Sequence, residues 1–279
     1  MLTIENHKFE EQVSDITHMS CPKNTKKLNG GKPDCIVIHY TASPSAKQAA
    51  EYLRRNDVKA SAHIVLGRKG HVYQLVPFDT VSWHAGASSL NGRSGFNDFS
   101  IGIEIDNAGV LNKVGEKYQA WFGKSIPENE VIKATHRNES NPRYWHAYTE
   151  AQIDKIFEIC EALIKAYPSI KSIHGHEEIS PGRKSDPGPA FPLDRLRDRF
   201  FSNRKSNTES LEINEHTGGR VNVSKLNVRS LPSYSASTVS APLSFGTELK
   251  ILDEHNGWLK VETRSEGWVA GEFVSLDKS

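Results

Sequence analysis

Five consecutive residues, Cys35-Ile-Val-Ile-His39, form a short apolar, β-branched run that reads as a buried strand ending on a histidine. Such a strand needs other elements to cover it, and the flanking sequence supplies them. Ser45 to Arg55 reads as a helix with Ala49, Tyr52 and Leu53 on one face. Ala62-His-Ile-Val-Leu66 and Val72-Tyr-Gln-Leu-Val76 read as two strands joined by the turn Gly67-Arg-Lys-Gly70. Ser100-Ile-Gly-Ile-Glu-Ile105 alternates and reads as another strand. Thr149 and Gln152 make a capping-box pattern. Ile153, Ile156, Phe157, Cys160, Leu163, Ile164 and Tyr167 follow at helical spacing, and Pro168 ends the helix. A strand over 170–174 and a short helix over 192–201 complete this part. Residues 107–148 lack clear periodicity but hold Tyr118, Trp121, Phe122, Tyr144 and Trp145. They read as a long aromatic-rich loop, either functional or a surface insertion packed on itself.

The chain has 279 residues, enough for two domains. Residues 1–32 read as a polar extension ending in the loop Asn29-Gly-Gly-Lys-Pro33, 33–202 as the main domain and 203–218 as a polar linker. Residues 219–279 change texture. Short strands around Asn227–Arg229, Leu249–Leu252, Trp258–Val261 and Gly267–Val269, separated by turn residues, predict a small all-β barrel.

Composition excludes several classes of function. A net charge of +1 and a pI near 7.8 leave no basic footprint for nucleic acid. No apolar run approaches the roughly 20 residues needed to span a bilayer. The first residues lack the basic start, apolar core and cleavage site of a secretory signal. The expected location is therefore cytoplasmic, with export by a non-classical route such as phage lysis or a secretion machine as the alternative. Cys21, Cys35 and Cys160 are widely spaced and odd in number, which predicts no disulfide framework. Cys35 and Cys160 read as core thiols.

The chemistry concentrates in Gly175-His176 through Pro189, where an imidazole, an ammonium (Lys184) and a carboxylate (Asp186) fall within eleven residues. Prolines and glycines fix that backbone. Together with His39, this gives two histidines and one carboxylate, a normal catalytic zinc set with a fourth position for water. Zinc lowers the pKa of bound water to about 7 and polarises a carbonyl. Glu104 sits between apolar neighbours on its strand, where an unpaired carboxylate is costly, and a proton relay beside a metal would explain it. Lys184, two residues before Asp186, can meet an oxyanion. Each residue also has an ordinary reading: His174 could replace His176 as ligand, Lys184 with Arg183 could be a solvated basic pair, and Glu104 could be salt-bridged. Among the 12 histidines, His7, His18, His71, His136 and His255 read as surface or core residues.

Ile38-His39, Ser61-Ala-His63, Trp83-His-Ala-Gly86, Asn97 through Glu104 and Gly175-His176 through Pro189 resemble the type-2 N-acetylmuramoyl-L-alanine amidase family over roughly residues 33–200. Within that family the pattern resembles that of the bacterial amidases that recycle or degrade anhydro-muropeptides. The resemblance implies an α/β fold, a central mixed sheet flanked by helices, with zinc at the bottom of an open groove. It puts the metal ligands on His39, His176 and Asp186, and the essential glutamate and lysine on Glu104 and Lys184. It puts substrate contacts on Trp83, His84 and Asn97, and it leaves His63 without a role. The implied reaction is hydrolysis of the amide between N-acetylmuramic acid, or its 1,6-anhydro form, and L-alanine, so peptidoglycan or muropeptide fragments are the expected partners. The alternative is a family member that binds peptidoglycan without cutting it. Residues 219–279 resemble bacterial SH3-like domains, which implies a wall-binding module. Trp258 and Trp268 are then either exposed contacts or core residues, and at least one of them is expected to be mainly structural. The segment from Asn107 to Tyr148 is longer than the family's minimal pattern.

Overall fold

The computed structural model describes residues 2–10, 14–201, 218–223, 225–232, 237–255, 258–262, 266–271 and 274–276. Apart from short two-stranded pairings, the chain forms β1 (Ile16–His18), β2 (Cys35–Tyr40), β3 (Ile64–Leu66), β4 (Val72–Gln74) and β5 (Ser100–Ile105). An inserted set follows: β6 (Val110–Val114), β7 (Lys117–Gln119), β8 (Ser125–Ile126), β9 (Val131–Thr135) and β10 (Pro142–His146). Strand β11 (Ser172–Gly175) returns to the first set. The helices are α1 (Ala46–Leu53), α2 (Glu150–Ala166), a single turn α3 (His176–Ile179) and α4 (Leu193–Phe201).

The main sheet has six strands in the order β11-β2-β5-β3-β4-β1, and only β3 and β4 run antiparallel to each other. This is the expected mixed sheet. Residues 35–38 of β2 are fully hidden, because both faces of the sheet are covered. Ile36 and Ile38 join the large core with α2, whereas Cys35 and Val37 pack with Ala85, Phe96, Phe99 and Ile179. Period-two alternation therefore points His39 to the same side as Cys35 and Val37. All three cysteines are buried and free.

Three details depart from the expectations. Residues 16–18 are not outside the domain but supply its edge strand β1, paired with β4. Helix α1 buries Ala46, Ala49 and Ala50 and leaves Tyr52 54% exposed. Positions 46, 49, 50 and 53 form the i, i+3, i+4, i+7 stripe, and Tyr52 falls off it. Segment 107–148 is not a loop: β8-β7-β6-β10-β9 is a second, antiparallel sheet.

Residues 203–217, read as a linker, lie outside the described residues. Beyond them, β12 (Gly218–Val221), β13 (Glu248–His255), β14 (Trp258–Glu262), β15 (Glu266–Ala270) and β16 (Val274–Leu276) form a five-stranded antiparallel sheet. Trp258 is buried, and Trp268 packs partly against the same core. Trp258 thus fills the structural role expected of at least one of the two. This unit rests on the start of α2: Asn227 donates its N–H to Glu150 (2.7 Å), and Arg229 lies 3.4 Å from Asp154 and 3.8 Å from Glu150.

The capping box of α2 is complete. The Gln152 N–H donates to Thr149 Oγ1 (3.2 Å), the Thr149 N–H donates to Gln152 Oε1 (3.0 Å), and Thr149 Oγ1 donates to the Arg68 carbonyl (2.6 Å). Thr149→Ala is expected to lower stability by about 1 kcal/mol, read as a shift in the denaturant midpoint at unchanged slope. An unchanged midpoint would mean the cap contributes nothing.

Candidate metal centre

Strand register brings the chemistry together. In the parallel pair β2/β5, His39 lies directly opposite Glu104, and β11 aligns Gly175 with Ile38, so His176 emerges one residue later beside His39. The following loop folds back, and the Glu177 N–H donates to the Asp186 carbonyl (2.8 Å). The result is a buried triangle. His39 Nδ1 and His176 Nδ1 are 2.8 Å apart, and Asp186 Oδ2 is 2.9 Å from each. His174 is not part of it: its Nε2 meets Ser172 (2.9 Å) and its ring stands edge-on to Phe96.

The hydrogen bonds behind the triangle decide which ring nitrogens carry protons. Ser100 Oγ donates to the Phe96 carbonyl, so it accepts from His84 Nε2–H (3.1 Å). His84 Nδ1 is then an acceptor, and His39 Nε2–H donates to it (3.0 Å). That leaves a lone pair on His39 Nδ1. His176 Nε2–H likewise donates to the Ala85 carbonyl (3.1 Å), which frees His176 Nδ1. Two bare imidazole nitrogens and a carboxylate oxygen converging within 3 Å repel one another unless a cation lies between them. Outer-nitrogen bonds of this kind accompany metal-ligating histidines. The donor set therefore fits a metal ion with ligand bonds of about 2.0–2.1 Å.

The electrostatics agree. Burial pushes His39 down to about 4, the neighbouring His176 adds to this, and Asp186 opposes it. Burial alone would raise Asp186, but the adjacent His176 and His39 rings outweigh that and hold its carboxyl well below the usual carboxylate range. Burial and the surrounding imidazoles keep His84 neutral.

Glu104 has one carboxylate oxygen shielded from solvent with no hydrogen-bond partner among the described residues. Burial and the charge of Asp186 raise its pKa well above the usual value, opposed by Lys184. Lys184 is exposed, and its charge reaches both Glu104 and His39. Arg183, weighed as its solvated companion, is instead spent on the scaffold. Its Nη2 donates to the carbonyls of Ala85 and Ala87 (2.7 Å each) and to Ser180 Oγ (2.6 Å).

Of the three expected substrate contacts, only Trp83 is open, 38% exposed with Lys23 Nζ 5.6 Å from its ring. The other two are engaged beside the ligand cluster. His84 is buried behind His39, and Asn97 Oδ1 accepts the backbone N–H groups of His84 (3.0 Å) and Ala85 (2.7 Å). Both position the ligand cluster from behind. His63 also gains a role. Its Nδ1 accepts from Gly102 N–H (3.0 Å) and Ser82 Oγ (2.8 Å), while its Nε2–H donates to the Thr80 carbonyl (2.8 Å), so it ties β5 to the loop carrying His84.

Sequence reasoning missed the braces from the inserted sheet. Glu177 is buried, accepting from His136 Nε2–H (2.6 Å) and Gly188 N–H (3.1 Å) with Arg137 Nε at 3.2 Å. Two further braces come from outside that sheet: Tyr40 Oη at the end of β2 bonds Ser185 Oγ (2.7 Å), and Tyr148 Oη donates to the Pro187 carbonyl (2.9 Å). The His-Glu-Glu spelling at 176–178 was the one available signal, since two acidic residues beside a ligand need partners.

Fold and site define an α/β domain with a buried metal-binding cluster of two histidines and one aspartate. The chain belongs to the N-acetylmuramoyl-L-alanine amidase family, which matches residues 29–189, and residues 224–275 match the bacterial SH3 domain. It is 37% identical over 141 residues to the 1,6-anhydro-N-acetylmuramyl-L-alanine amidase AmpD of Escherichia coli (strain K12), covering 50% of this chain and 58% of that protein. It is 31% identical over 169 residues to the N-acetylmuramoyl-L-alanine amidase AmiD of the same organism, covering 58% and 51%. The chain thus spans a little over half the length of the first curated relatives it matches. A crystal structure of a selenomethionine AmpD derivative aligns with a TM-score of 0.47 at 28% identity, over 66% of this chain and 94% of that one.

Gly102 has no side chain because the His84 ring fills the space: a Cβ there would lie 2.3 Å from His84 Cγ. Gly102→Ala is expected to displace His84 and weaken metal binding about 10–100-fold, read by competition with a chelating dye. Affinity equal to the wild type would show that His84 does not hold His39. A second expectation concerns acid. Burial lowers His63 to about 4, so the unfolded chain binds its proton first as pH falls through about 6.5. Stability is therefore full above that pH and declines towards pH 4. His63→Gln should reduce the slope of unfolding free energy against pH in this window by up to one proton. An identical slope would contradict the assignment.

Proposed function

We propose that this protein is a zinc-dependent amidase that hydrolyses the bond between the lactyl group of N-acetylmuramic acid, or its 1,6-anhydro form, and L-alanine of the stem peptide. The observation that carries the reading is the register that sets Glu104 beside His39, with Lys184 over the same cluster. A metal site alone binds; a metal site with a proton carrier and a free ammonium can cleave an amide. Family membership and the activity named for the relatives support the same bond.

His39, His176 and Asp186 would hold the zinc ion. When bound, it supplies a water acidified to a pKa of about 7 and a Lewis acid for the amide carbonyl. The chain's own residues do the rest. Glu104, largely withdrawn from solvent, takes the proton of the attacking water and delivers it to the departing alanine nitrogen. Lys184 presents its ammonium to the oxygen on which negative charge grows. His84, Ser100 and Asn97 keep His39 in the tautomer that leaves Nδ1 free. Trp83 lines the substrate groove, and the SH3-like unit serves as a wall-contact module.

Glu104→Ala and Lys184→Ala are each expected to retain fold and metal yet lose about 10²–10⁴-fold in turnover. The measurement is mass-spectrometric detection of the free stem peptide from anhydro-muropeptide. Chelation should abolish release and added Zn²⁺ should restore it. Wild-type rates in Glu104→Ala would overturn the mechanism, and binding of the wall without any new peptide end would overturn the reaction.

A further inference from the structure

The inserted sheet does more than brace the metal loop. The pairings Lys113↔Tyr118 and Lys133↔Tyr144 set the two tyrosines on one face, ring centroids 4.8 Å apart. Each carries a lysine over its ring: Lys113 Nζ is 5.7 Å from Tyr118 and Lys133 Nζ is 5.8 Å from Tyr144. Phe245 of the SH3-like unit, 40% exposed, closes this face into a cavity of about 660 Å³ that also receives Glu128 and Asn129. Phe245 is its one lining residue from the SH3-like unit among the described residues.

A second observation links the same sheet to the metal centre. Trp121 is 71% exposed, yet its indole N–H is fixed to the Ala42 carbonyl (2.8 Å). Ala42 lies three residues beyond His39, about 10 Å of extended chain. Phe122 stands edge-on to Trp121 and packs on the cluster that holds Tyr118 and Tyr144. Aromatic groups thus run from the junction of the domains to the rim of the reactive site.

We propose that this face is a glycan subsite, and that its ligand is the peptide-free amino-sugar strand. The inference rests on the amidase reading above. Pyranose rings offer apolar C–H faces to flat aromatics, while their hydroxyl and acetamido groups suit Glu128 and Asn129. Trp121 has already spent its N–H, so only its ring face remains to offer. Hydrolysis of the lactyl amide leaves a carboxylate on each stripped muramic residue, and Lys113 and Lys133 complement those charges. A stem peptide has no flat apolar face to lie on Tyr144 and Phe245; the Tyr118 ring, tilted 56° to that of Tyr144, is itself buried. The cavity falls within the range of about 300–1,000 Å³ usual for small-ligand sites. The arrangement lets the enzyme hold the strand it has just stripped and stay near the next stem.

The test uses the full chain with its metal. Calorimetric titrations with chitohexaose, a neutral probe, and with purified peptide-free glycan strands are compared for the wild type, Phe245→Ala and Lys133→Glu. Both variants change exposed side chains, and thermal melts check that they fold. Phe245→Ala is expected to weaken both ligands about tenfold, the equivalent of about 1.4 kcal/mol. Lys133→Glu is expected to weaken the anionic strands with little effect on chitohexaose, and added salt should erase that difference. Both variants should release peptide from a soluble anhydro-muropeptide at the wild-type rate but more slowly from sacculi. No glycan binding by the wild type, equal binding by both variants, or displacement by the free stem peptide would overturn the subsite. Glycan binding that needs Phe245 in a protein unable to release peptide would uphold the subsite and overturn only the amidase reading.

Discussion

The imidazole of His39 can offer a lone pair to a cation only because its other nitrogen holds the proton. That proton is held in place by a chain running through His84 and Ser100 to the carbonyl of Phe96. Every link is directional: a carbonyl can only accept, so the direction of each bond back to His39 follows from it. Much of the surrounding structure serves this chain. Gly102 makes room for the His84 ring, Asn97 grips the backbone that carries it, and His63 ties the same loop to β5. A buried network of this kind stabilises one geometry only when every member is satisfied.

The second ligand histidine is held by different means. His176 and Asp186 stand on one loop, and that loop is braced from the inserted sheet. His136 donates to Glu177 with Arg137 beside it, and Trp145 lies against Gly188, where a Cβ would come within 2.8 Å of the ring. Gly109 approaches Tyr40 in the same way, which fastens the sheet to the end of β2. The insertion therefore touches both arms of the metal site. A sheet with this role can vary at its outer face while its inner face stays fixed.

Legibility in the sequence followed the strength of local pattern. The run 35–39 was readable because every position in it is buried, and the helix 150–166 because its apolar positions recur at helical spacing behind a capping box. The dense loop 175–189 was readable because its ligands are neighbours in the chain. Strands β6 to β10 were not, for a physical reason. They are two to five residues long, and one face carries Lys113, Lys133 and Tyr144, whose long side chains cover apolar surface while keeping a polar end in water. Alternation blurs when the covering side chains are themselves amphipathic. The scaffold bonds of His84 and Asn97 were not legible for another reason: proximity to a site in sequence does not show which residues stand behind a ligand.

How the two units are joined bears on how such a site can work. Arg229 and Glu150 form a largely buried ion pair, 11% and 7% exposed, where desolvation offsets much of the attraction. A contact of that kind adds little net stability but resists alternatives, since separating the partners would strand a charge. The Glu150 carboxylate also accepts the Asn227 N–H, which fixes the approach of the strand leading to Arg229. The junction therefore specifies an orientation more than it strengthens the fold. Phe245 can complete a cavity on the other domain only under that condition, because a freely tethered module would present its aromatic face to many directions at once.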